Sequence, residues 1–99
     1  MCGRYTVTAD VDELVEVFDA PTAPGFELDL PRYNIAPTQK APVVALGSEG
    51  RGLASFRWGL VPFWADDPSI GNRLINARSE TVHRKPAFRR AFERHRCLV

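Results

Sequence analysis

Cysteine is scarce in this chain: Cys2 and Cys97 are the two thiols among 99 residues. Two positions this far apart make neither a disulfide framework nor the close spacing that holds zinc. The sequence therefore points to no metal and no cofactor, and a reducing compartment disfavours a Cys2–Cys97 bridge. Long apolar runs are missing too. None approaches the ~18–20 residues that span a bilayer, and the charge and polarity of "GRYT" interrupt the start where a secretory leader needs an apolar stretch. The expectation is no membrane contact and a cytoplasmic protein, nucleoid-associated in a bacterium, or a nuclear one in a eukaryote. Repeats, low-complexity segments and internal linkers are absent as well. A 44% hydrophobic and 25% charged composition is that of one small globular domain at most.

Net charge is nearly absent, at +1, but it is unevenly spread. Residues 1–50 hold three basic and eight acidic residues; residues 51–99 hold ten basic and four acidic. Nine of those ten are arginine, whose planar fork suits phosphate better than an ammonium does. The second half thus points to an anionic partner. The alternative, for "RKPAFRRAFERHR" alone, is a solvated helix face.

Along the chain, "CGRYTVT" alternates polar and apolar residues and reads as a strand. Asp10 is an expected N-cap, with Glu13 completing a capping box, and Val11, Leu14, Val15 and Phe18 give a short amphipathic helix over 11–19. Residues 20–41, with four prolines, read as an ordered irregular loop anchored by Phe26, Leu28, Leu30, Tyr33 and Ile35. A hairpin is expected over 42–59, turning at "GSEGRG". "VPFWADDPSIGN" reads as a loop and "RLINAR" as a short extended piece, with Ser79 or Thr81 starting a helical turn. Pro86 suits the first turn of a helix that buries Ala87, Phe88, Ala91 and Phe92. "RCLV" begins a further strand. The pattern is an α+β fold, strand-rich and mixed.

What the chain does have is a cysteine directly behind the initiator methionine. Once Met1 is trimmed, Cys2 carries an α-amine and a thiol on adjacent carbons. Their intrinsic pKa values lie near ~7.7–8.0 and ~8.5, so both are partly nucleophilic at neutral pH. Such a 1,2-aminothiol captures aldehydes: the amine forms a Schiff base and the thiol closes a thiazolidine. The competing reading is a small apolar residue of the core.

Three further segments carry chemistry. "RYNIAPTQ" sets Asn34 and a glutamine around a proline. "RWGLVPFWADD" brings two tryptophans close together; Trp58 belongs to the strand and reads as core. Trp64, in a proline-bounded loop, either stacks on a base or lines a pocket, or folds over the core. In "NRLINARSET", Asn76 and Arg78 are two apart and share a face if the segment is extended. They then set an amide beside a guanidinium, or else cap backbone and face solvent.

"MCGRY", "RYNIAPTQ", "RWGLVPFW" and "INARSET", in this order and spacing, closely resemble the SRAP family (SOS response-associated peptidases), and the resemblance runs over the whole chain. It implies an SRAP-type fold of which these residues are the N-terminal portion, about half of a single domain of ordinary size. It also implies a role in the DNA damage response: binding abasic sites in single-stranded DNA and crosslinking to them covalently through Cys2 as a thiazolidine. By the same resemblance Asn76 holds or polarises the opened sugar, and Arg4 and Arg78, with Arg73, grip phosphates. Trp64 supports a flipped nucleotide, and Asn34 belongs to the DNA-binding set. A peptidase label attaches to the family through self-cleavage that exposes its N-terminal cysteine; here only Met1 needs removal. The full-length protein is expected to be a monomer. The family's glutamate and histidine follow the "RCLV" strand, and His83, His95 and Glu80 do not match their segments. Two rivals remain at this stage: a non-covalent single-stranded DNA-binding module, and an inactive fragment lacking that acid–base pair.

Overall fold

The computed structural model describes residues 2–99. Its centre is the hairpin β3 (Lys40–Gly47) and β4 (Gly50–Arg57), antiparallel from Lys40↔Arg57 to Gly47↔Gly50. Ser48 and Glu49 form the two-residue turn, and Gly50 takes φ 105°, a region open to glycine. Both faces of this ribbon supply core residues: Ala41 and Val43 are buried on one and Leu53, opposite Val44, on the other, joined by Ala20 and Ile35.

Both edges of the hairpin are extended by single bridges. Thr22 runs parallel to Leu53, with Ala23 N–H donating to Leu53 O at 2.8 Å. On the other edge Leu98 and Val44 exchange backbone bonds of 2.9 and 3.0 Å. The strand expected at "RCLV" is thus present as one bridge, at the outer edge of β3.

Before the hairpin, β1 (Tyr5–Val7) pairs antiparallel with β2 (Arg32–Ile35), with Tyr5 opposite Ile35 and an irregularity before Val7↔Arg32. β2 lies inside the stretch expected to be irregular. Its partner is distant in sequence, so no local pattern announces it. Helix α1 (Val11–Phe18) starts where the cap predicts: the Asp10 carboxylate accepts from Glu13 N–H at 2.9 Å. Asp19, at φ 47°, ends it in a left-handed turn.

After the hairpin the chain turns irregular. A 3₁₀ turn (Pro68–Asn72) is capped by Asp67, which accepts from Ser69 N–H at 3.0 Å. Those bonds hold the Asp67 carboxyl below its ordinary pKa. Successive turns lead to α2 (Arg89–Arg94), which begins later than Pro86. Its apolar stripe is only partly covered: Ala87, Phe88 and Ala91 are half-buried and Phe92 is exposed. Among the described residues no helix is long and apolar enough to cross a membrane.

Candidate active site around Cys2

Cys2 is exposed and is held to the chain's far half by one side chain. Asn76 Nδ2–H donates to Cys2 O at 2.8 Å, and Asn76 Oδ1 accepts from Cys2 N at 3.4 Å. The amide therefore clamps both backbone polar groups of Cys2 across 74 residues of sequence. With Met1 removed, the second contact falls on the α-amine itself.

The segment carrying Asn76 is positioned from two sides. Trp58, just past β4, donates its indole N–H to Ile75 O at 2.9 Å. Leu60 N–H donates to Leu74 O at 3.0 Å. That pairing needs close backbone approach at Gly59 and Gly71: a Cβ on Gly59 would sit 2.5 Å from Gly71 O, and Gly59 holds φ 132°. Trp58 is itself fixed by Thr38 N–H donating to Trp58 O and Trp58 N–H donating to Gln39 O, both 2.9 Å. The Tyr5 ring meets its indole edge-on at 5.6 Å.

Cys2, Tyr5, Trp58, Leu74 and Asn76 line one mainly apolar hollow of about 680 Å³. Cys97 lines it too. Burial pushes the Cys97 thiol above its ordinary range, which lowers its thiolate fraction. The Tyr5 hydroxyl is buried with no hydrogen-bond partner. Burial raises its pKa, opposed by the nearby Arg32 charge.

Arg4 and Asn34 meet beside the β1–β2 ladder, with Arg4 Nη1 donating to Asn34 Oδ1 at 3.0 Å. Asn34 thus orients the guanidinium, which keeps further donors for an anion. Gln39 braces the loop behind it: Oε1 accepts from Ala36 N–H at 3.0 Å and from Arg32 at 2.7 Å. Trp64 is 49% exposed, its indole N–H reaching Pro86 O at 3.4 Å. With Arg73 and Asp66 it lines a separate, shallower hollow. Arg73 and Arg78 are exposed, and Arg78 O accepts the bonds that start the next turn. Cys2 with Asn76, and Arg4 with Asn34, are therefore brought into direct contact, while Trp64 and Arg73 stand together apart from them. Trp58 and the Gly59–Gly71 approach, which order the site, carry no chemical signature in sequence. Their only mark is aromatic and glycine content beside a strand end. Among the described residues no group of three or more His, Cys, Asp or Glu could hold a metal ion.

The chain is similar to known proteins along its whole length. The family model for SOS response associated peptidase (SRAP) matches residues 1–99. The abasic site processing protein YoaM of Bacillus subtilis is 41% identical over 100 residues, covering 100% of this chain and 44% of that protein. The abasic site processing protein YedK of Escherichia coli is 30% identical, covering 99% of this chain and 44% of its own length. The crystal structure of a Bordetella bronchiseptica protein superposes with a TM-score of 0.69 at 26% identity, covering 92% of this chain and 43% of the other. The chain spans less than half the length of these relatives. The match over all 99 residues places the chain in the SRAP family.

Proposed function

We propose that the chain captures abasic sites in single-stranded DNA as a covalent thiazolidine through Cys2, once Met1 is removed. The observation that carries this reading is the two-point clamp of Asn76 on Cys2. It fixes an exposed aminothiol at the rim of a hollow instead of leaving a frayed terminus. The names of the relatives, abasic site processing proteins, support an abasic site as the substrate.

The chemistry balances without an external oxidant or metal. An abasic deoxyribose opens to an aldehyde at C1′. The α-amine of Cys2 adds to that carbon, and loss of one water gives the imine. The sulfur then adds to the imine carbon, its proton passing to nitrogen, and the five-membered ring closes. Asn76, bonded to the attacking nitrogen, aligns the amine with the aldehyde. Arg4, steadied by Asn34, and the exposed Arg73 and Arg78 bind phosphates, while Trp64 offers a face on which a base stacks.

On this reading the residues are the N-terminal portion of a single SRAP domain. Groups that shuttle protons for sugar opening, lyase chemistry or release lie outside them, in a monomeric protein working in a reducing intracellular compartment.

The test is an adduct on an abasic single-stranded oligonucleotide that survives heat and detergent. Cys2→Ser should abolish it and Cys97→Ser should keep it. An equally stable Cys2→Ser adduct would sink the proposal. The exposed Trp64 beside Arg73 favours a second reading, non-covalent strand binding, which predicts a salt-sensitive complex and no adduct from the unsubstituted chain.

A further inference from the structure

Cys2 and Asn76 are joined by two routes. One is the amide clamp. The other runs the long way round, through bonds that the capture chemistry leaves unused. β1, which follows Cys2, pairs with β2 through Tyr5↔Ile35 and Val7↔Arg32. Ile35 is fully buried and anchors β2. Arg32 then forks: Nη1 donates to Lys40 O at 2.8 Å and Nη2 to Gln39 Oε1 at 2.7 Å. The same oxygen of Gln39 accepts from Ala36 N–H at 3.0 Å. It thereby stiffens the turn 36–39, which Gln39 N–H closes by donating to Ala36 O at 3.2 Å.

That turn holds Trp58. The β3–β4 ladder ends at Lys40↔Arg57, and the turn takes over at the next residue. Thr38 N–H donates to Trp58 O and Trp58 N–H donates to Gln39 O, both at 2.9 Å. The Trp58 indole N–H donates to Ile75 O at 2.9 Å. The next residue is Asn76, which returns to Cys2. The bonds form a closed ring, in which each link limits the drift of the others. Opening it at Gln39 leaves the Trp58–Ile75 contact held with less precision, and Asn76 with it.

The turn carries a mark of its own. Thr38 stands at φ 76°, where a β-branched residue is an outlier and where glycine or asparagine is the usual turn residue. Strain of this kind persists where the surroundings over-determine it, and it clusters at functional sites. Here the surroundings are the Gln39 oxygen and the two backbone bonds to Trp58. Gln39 is exposed and is not among the residues lining the hollow beside Cys2, so its route to the reaction is through Trp58.

We propose that Gln39, held by the Arg32 fork, is a positioning residue for capture at Cys2, acting through Trp58 and Asn76. The proposal deepens the capture reading and rests on it for its rate measurement. A spectroscopic measurement makes the two separable.

The experiment compares Gln39→Met, which keeps length but removes the acceptor oxygen, with Gln39→Glu, which keeps that oxygen. Single-turnover adduct formation on an abasic oligonucleotide reads the rate. Titration of an intact single strand reads affinity. A proton–nitrogen correlation spectrum reads the Trp58 indole and the Asn76 side-chain amide. Gln39→Met is expected to slow capture ~3–10-fold, as alignment of the amine loosens. Its affinity for the intact strand should stay at the wild-type level, and both resonances should shift. Gln39→Glu should restore the rate and the Asn76 resonance. Arg32→Met, which removes the other partner of the same bond, should slow capture with no change in the salt slope of binding. A slope flattened by ~0.7 would make Arg32 a phosphate ligand and overturn the proposal. So would wild-type capture by Gln39→Met, an equal loss of rate and affinity, or a Gln39→Glu variant as slow as Gln39→Met. Should Gln39→Met fail to fold, Arg32→Met is read in its place. If the unsubstituted chain forms no adduct, the capture reading fails and the spectrum decides alone: an Asn76 amide that ignores Gln39→Met shows that the ring does not position it.

Discussion

Asn76 spends both ends of its amide on Cys2, so its removal should be felt in chemistry before binding. Asn76→Ala is expected to slow capture of abasic DNA by ~10–100-fold, the scale lost when a nucleophile is no longer aligned. Affinity for intact single strands should barely move. Single-turnover adduct formation against equilibrium binding separates the two, and an equal loss in both would make Asn76 a DNA ligand instead. Burial raises the pKa of Cys97 above its ordinary 9.0 and that of Tyr5 above 10.0. Each group holds its proton more tightly folded than unfolded. That contribution is complete below the unfolded pKa and is lost as pH rises through the folded one. Stability should therefore decline from about pH 9 upward, first through Cys97 and then through Tyr5. Urea midpoints measured across this range should fall less steeply for Cys97→Ala, and unchanged steepness would exclude Cys97 as a source.

Elements were legible in the sequence to the extent that their signals are local. The Asp10 cap, the apolar spacing of α1 and the turn of the hairpin each lie within a few residues of what they organise, and each is found where expected. The hairpin itself is shifted two residues toward the N-terminus, because pairing begins at Lys40↔Arg57 while Trp58 leaves the ladder to bond Ile75. β2 was invisible because Tyr5↔Ile35 pairing joins distant segments, and four residues of mixed polarity carry no period of their own. The contact between Asn76 and Cys2 is equally non-local. The resemblance named both residues, but spacing alone left Asn76 open between an active amide and an ordinary cap. The joint that aligns them is the Gly59–Gly71 approach. Gly59→Ala would put a methyl 2.5 Å from a backbone oxygen at φ 132°, where no side-chain rotation relieves it. A loss on the order of 2–3 kcal/mol is expected, together with slower adduct formation as the Leu74–Asn76 segment moves. Gly3→Ala, with nothing within 4 Å of its added carbon, should keep wild-type stability. Equal thermal midpoints for the two variants would show that the close approach is not required.

At the scale of the molecule the arginines divide by what they touch. Arg32 donates to Lys40 O, Arg51 to Phe18 O and Arg57 to Asn72 Oδ1, at 2.8, 3.0 and 2.7 Å. Arg90 and Arg96 lie over the Phe63 and Phe92 rings at 4.5 and 5.1 Å. These groups keep their charge but each commits a donor or a face within the chain, so they are less free than Arg78 to turn toward a phosphate. Arg78 is exposed beside the Asn76 segment and, with Arg4 and Arg73, is expected to meet a phosphate. Each phosphate contact on a single strand releases counterions and contributes ~0.7 to the slope of log affinity against log salt. Arg78→Ala should thus flatten the slope by about 0.7 and weaken binding to every sequence alike. Arg51→Ala should leave the slope unchanged and lower stability slightly through the lost bond to Phe18 O. Fluorescence titrations of a labelled oligonucleotide at several salt concentrations read both variants. If Arg51→Ala flattens the slope and Arg78→Ala does not, DNA lies across the hairpin and not beside Cys2, and the capture geometry proposed for this chain is wrong.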